Sequence, residues 1–111
     1  MIHLIRRKKL DYEKKFENIV ILEKEIDITD PKFLSGIYYN LIGYLICSLL
    51  EKLYFKLGED YIKKSIKTQI EKMKELIDNL KKQEFPEKEA LIEGYESILK
   101  ILNEIHSFST N

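Results

Sequence analysis

Residues 31–57 read PKFLSGIYYNLIGYLICSLLEKLYFKL, and no charge interrupts the run from Phe33 to Leu50. The segments on both sides are dense in Lys and Glu. Thr29-Asp30-Pro31 is a helix start: Asp30 can accept bonds from free backbone N–H groups, and Pro31 sits where a missing N–H costs nothing. Gly58 is a natural stop, because it adopts backbone conformations that other residues avoid. The spacing therefore predicts a helix over 31–57, roughly 40 Å long. A helix this apolar must be covered by its own chain, by a second chain or by lipid.

At about 100° per residue the helix separates into three strips. Tyr39, Ile42, Ile46, Leu49, Leu50, Leu53 and Leu57 run its full length and are expected to face the core. Gly36, Asn40, Gly43 and Cys47 form a stripe of small residues that lets another helix approach closely or leaves a groove. Leu34, Ile37, Tyr38, Leu41, Tyr44 and Leu45 form a third strip along the N-terminal half, giving way to Lys52 and Lys56. Neighbouring helices of a bundle cover two strips, and Tyr-rich apolar patches are enriched at interfaces. The third strip is therefore the expected contact surface for a second copy or for another protein; the alternative is that the first helix or the N-terminal arm covers it.

Around this helix the periodicity predicts three more. Tyr12, Phe16, Ile19, Leu22 and Ile26 share one side of a helix over 11–27, with Asp11 as its cap. The run 18–29 also admits a strand, although no second β-rich run is present to pair with it. Residues 1–10 carry Arg6, Arg7, Lys8 and Lys9 and no acid, and read as a basic N-terminal arm. Asp60 caps a helix running to about Lys82, with Ile62, Ile66, Ile70, Met73, Ile77 and Leu80 on its inner side and lysines outside. The last helix runs from Pro86 to about Phe108, with an inner stripe of Leu91, Tyr95, Ile98, Leu102 and Ile105. Residues 107–111 read as a loose tail. Short loops favour antiparallel neighbours. The expected fold is all-α: one domain over 1–111, an up-and-down bundle of four helices with 31–57 at its centre.

Composition bounds the function. Nineteen basic residues balance nineteen acidic ones, so no global charge directs the chain to nucleic acid or an acidic membrane. Cys47 is the lone cysteine, which excludes an internal disulfide and suits a reducing, cytoplasmic setting. The basic start is followed by acidic and polar residues rather than the apolar segment of a signal peptide. Membrane insertion of 31–57 is disfavoured by Ser35, Asn40 and Ser48, and by the apolar stripes of the later helices, which need something to pack on.

Catalytic chemistry has no signature here. A carboxylate-bridged metal pair in a bundle needs Glu-x-x-His, but Asn103 stands three residues before His106, and His3 has no residue there. Cys47 on an apolar helix is an inert small hydrophobe. Ser35, Ser48 and Ser65 lack a companion His, and the four glycines are isolated, so no phosphate loop is present. No cofactor, metal or enzymatic activity is expected. The reading that follows is a non-enzymatic interaction protein (an adaptor, an inhibitor or a minor subunit) that self-associates or binds a partner through the apolar side of 31–57. The alternatives are a nucleic-acid accessory protein using Arg6, Arg7, Lys8 and Lys9 with Lys63, Lys67 and Lys74, and a small-ligand carrier with Gly36, Asn40, Gly43 and the tyrosines around its pocket.

Overall fold

In the computed structural model the backbone is described for residues 1–22 and 31–109, and side chains for 1–18 and 35–107. The chain is all-α. The described residues form four helices, α1 (Ile2–Leu22), α2 (Pro31–Leu57), α3 (Glu59–Lys81) and α4 (Lys88–Ser109), with no strand among them. They divide into two compact units, Met1–Lys56 and Leu57–Asn111. Each unit is an antiparallel helical hairpin.

In the first unit α1 begins at Ile2, so residues 2–10 are helix rather than a basic arm. The four cations mask a period that Ile5, Tyr12 and Phe16 maintain. Ile5 and Tyr12 are buried, and Lys8 and Lys9 lie half-buried between them. Long cationic stems can cover apolar surface while their heads reach outward. Asp11 is an exposed residue inside the helix, not its cap. Asn18–Leu22 is helical, and the rest of the ambiguous 18–29 stretch lies outside the described residues. Helix α2 has the bounds its sequence predicts.

One residue, Gly58, separates α2 from α3. Its φ of 88° and ψ of 169° belong to a region that is essentially glycine's own. Gly58 occupies the N-cap position in place of Asp60, and no side chain caps the helix. Glu59 and Asp60 fall in the first turn, where their charge complements the helix dipole.

In the second unit α3 packs against α4. Ile62, Ile66, Ile70 and Ile77 of α3 are buried, as are Ile101, Leu102 and Ile105 of α4. Leu91, expected on the inner stripe, is 43% exposed. The connection keeps Pro86 and Glu87 out of helix: Glu87 takes a φ of 63°, and its carbonyl accepts the first bond of α4, from Leu91 N–H at 3.1 Å. Lys88 Nζ donates to the Lys81 carbonyl at 2.8 Å, satisfying an acceptor that the end of α3 leaves free. Lys88 also reaches Glu84 at 3.1 Å, and Lys81 reaches Glu96 at 3.7 Å. The helix continues to Ser109, so 107–109 are not a loose tail, while 110 and 111 lie outside the described residues.

Candidate interaction surface

Three pairings fix how α2 is turned within the first unit. Lys9 and Arg6 of α1 meet Glu51 at 3.9 and 3.5 Å. The Tyr12 ring stands edge-on to Tyr39, with centroids 6.0 Å apart. Tyr12 also lies flat against Gly43. A β-carbon built on Gly43 would stand 2.6 Å from that ring, nearer than any real carbon contact. The small-residue stripe is thus the inward side of α2: Asn40 and Cys47 are buried with Gly43. Asn40 Nδ2 donates to the Gly36 carbonyl at 2.8 Å, one turn back, and its Oδ1 is buried without a hydrogen bond. Burial pushes the Cys47 thiol from 9.0 up to about 11, and Lys8 and then Lys9 of α1 pull it part of the way down. Those cations are distant in sequence, which hides them from a reading of α2 alone.

The outward side carries large apolar groups. Tyr38 is 57% exposed, Leu41 37%, Leu45 56% and Leu49 58%. Three of these belong to the strip expected at the surface. Leu49 belongs to the strip expected in the core, and so does Leu57, which is 51% exposed. Of the expected core strip only Leu50 is buried, and Tyr39, Ile42, Ile46 and Leu53 are half-buried. The wheel has no fixed zero, and the choice of inward strip was made by Tyr12. The glycine at 43 was the available signal, since a ring needs a flat seat.

Ile37 and Tyr44 are half-buried at the edge of the exposed face, and the Leu34 side chain lies outside the described residues. Lys9 Nζ sits 5.5 Å from the Tyr44 ring centroid. A groove of about 260 Å³ beside Leu41 and Tyr44 is walled on the α1 side by Glu13, Phe16 and Glu17. At Gly43 the Tyr12 ring fills the space that a bound small molecule would need.

The basic residues are not brought together. Consecutive positions on a helix point to different sides. Arg6 lies over Phe55 at 5.2 Å as well as beside Glu51, Lys8 is half-buried, and Arg7 is exposed. Lys63 pairs with Glu59 at 3.8 Å. Lys67 and Lys74 are exposed on the same side of α3 as Glu71 and Asp78, which interrupt the positive field. Among the described residues no group of three or more His, Cys, Asp or Glu side chains is placed to hold a metal ion. None of their helices is long and apolar enough to cross a membrane. Comparison with known protein families, with curated proteins and with solved structures finds no match to this chain.

Proposed function

We propose that this chain is a non-enzymatic interaction protein that acts through the outward face of α2, by self-association or as a subunit of a larger assembly. The observation that supports it is the exposure of Tyr38, Leu41, Leu45 and Leu49 along one side of a single helix. Isolated exposed leucines are ordinary, but a contiguous row on a rigid element is the kind of surface that a partner dries. The buried free thiol suits a reducing, cytoplasmic setting. Scattering of Arg6–Lys9 around α1 and the acids among the α3 lysines count against nucleic acid.

The test is a double substitution, Leu41→Lys with Leu45→Lys. The expected result is unchanged helix content with loss of association, seen as mass by sedimentation or as loss of the captured partner. Unchanged association, or collapse of the fold, would overturn the reading. Salt separates it from phosphate binding: apolar contact survives added salt, whereas phosphate contacts weaken steeply.

A further inference from the structure

The outward face has a symmetry of its own. Tyr38, Leu41, Leu45, Leu49 and Lys52 are separated by three, four, four and three residues, an order that reads the same from either end. They fall within about 80° of one another on the helix. Leu34 and Lys56 extend the same symmetry by four residues at each end. The two ends differ in charge. Lys52 and Lys56 are exposed at the C-terminal end, and Glu13 and Glu17 of α1, also exposed, flank Leu41 near the N-terminal end.

We infer that the occupant of this face is a second copy of the chain, with the two α2 helices antiparallel and Leu45 on the two-fold axis. This inference rests on the reading of α2 as the contact surface and names its partner. A two-fold contact uses the same patch twice, so each position must suit its mirror position. Antiparallel pairing sets Leu41 against Leu49 of the second copy, and Leu45 against Leu45. Tyr38 then faces Lys52 of the second copy, an aromatic ring against an ammonium group. Lys52 and Lys56 approach the end of the face that Glu13 and Glu17 of the second copy flank. Parallel pairing would set Lys52 against Lys52 and Lys56 against Lys56, which repel. The row from Tyr38 to Lys52 spans about 21 Å of helix. A contact of that length is at the small end for stable complexes, so the dimer is concentration-dependent.

Disulfide trapping tests it on the full chain carrying Cys47→Ala, with helix content checked first. Leu45→Cys is expected to form a disulfide-linked dimer under mild oxidation. Leu41→Cys and Leu49→Cys are each expected to stay unlinked alone and to form a mixed dimer when combined. In the antiparallel pair two copies of position 41 lie about 12 Å apart along the axis, beyond the roughly 7 Å that a disulfide tolerates. Self-linking at 41 and at 49 would mean a parallel pair and overturn the inference, as would a dimer that fails to link at 45. Sedimentation of the unsubstituted chain needs no variant: a monomer over a hundredfold range of concentration removes the second copy. In that case a different partner lost on Leu41→Lys with Leu45→Lys would leave the broader reading standing, and its retention would remove both.

Discussion

The two hairpins solve the same problem in opposite ways. In α3/α4 the isoleucines of α3 line the inside: Ile62 and Ile66, with Ile101 of α4, are all but inaccessible, and the outer side of α3 is mostly Lys and Glu. In α1/α2 the inward side of α2 holds Asn40, Gly43 and Cys47 before it reaches Leu50, while Leu45 and Leu49 stand outside. Helix α3 has one apolar side, so hydrophobicity alone orients it. Helix α2 is apolar on every side in its first half, so hydrophobicity orients nothing there. Shape decides instead: the Tyr12 ring needs the flat seat at Gly43, and seating it turns the leucines outward. A helix without a polar face will follow the contour of its partner, and what it leaves outside is available for a second contact.

Truncating one large side chain in each hairpin should separate the two units most strongly. Ile66→Ala should cost the α3/α4 unit about 2–5 kcal/mol, the usual range for emptying a packed site. Leu49→Ala, at a site 58% exposed, should cost the isolated chain less than about 0.5 kcal/mol. Denaturant unfolding monitored by circular dichroism at low concentration measures both, and similar losses would mean that Leu49 is core.

Two glycine substitutions should move stability in opposite directions. At Gly43 an added methyl group meets the Tyr12 ring, so Gly43→Ala should destabilise by about 1–2 kcal/mol after its gain in helix propensity is counted. Replacing Tyr12 by Leu in the same chain should recover much of that loss. At Gly94 in α4 a β-carbon meets nothing within 4 Å. Gly94→Ala should therefore stabilise, by up to about 1 kcal/mol. Melting temperatures of the three variants carry the comparison, and a stabilising Gly43→Ala would unseat Tyr12 from its place in the account.

The smallest effect concerns Cys47. Its folded-state value of about 11 lies above the ordinary 9.0, so the fold favours the protonated thiol. That contribution is fully present below about pH 9 and is lost as pH rises through about 11. Stability of the native chain should fall across that window more than stability of Cys47→Ala. Alkylation of the native thiol should be slow at neutral pH and rapid once the chain is unfolded.

Much of the fold was legible from residue order. Pro31 and Gly58 bracket α2, and the isoleucines of α3 recur at the spacing that one buried side requires. Three boundaries were not legible, each because a distant or unusual backbone feature intervened. The basic start is helical with Ile5 and Tyr12 buried, and Arg6 and Lys9 have Glu51 opposite, more than forty positions along the chain. Helix α3 starts at Glu59 because Gly58 makes the turn that Asp60 was expected to cap. Helix α4 starts at Lys88 because Glu87 holds a left-handed φ. In the candidate surface, Tyr38, Leu41 and Leu45 were readable as exposed, and Leu49 was not. Its assignment depended on which strip α1 would choose, and that information sits at Tyr12.

Leu45 and Cys47, two positions apart and on opposite sides of α2, report directly which side of the helix faces inward. Leu45→Lys and Cys47→Lys each place one ammonium group on the same stretch of helix. Circular dichroism and sedimentation of the two purified variants are expected to differ: Leu45→Lys keeps the helix content of the native chain and sediments at the monomer mass of 13.3 kDa, while Cys47→Lys loses the structure of the first unit. A folded Cys47→Lys beside an unfolded Leu45→Lys would contradict the account, because it would place the leucines in the core and the small residues in water.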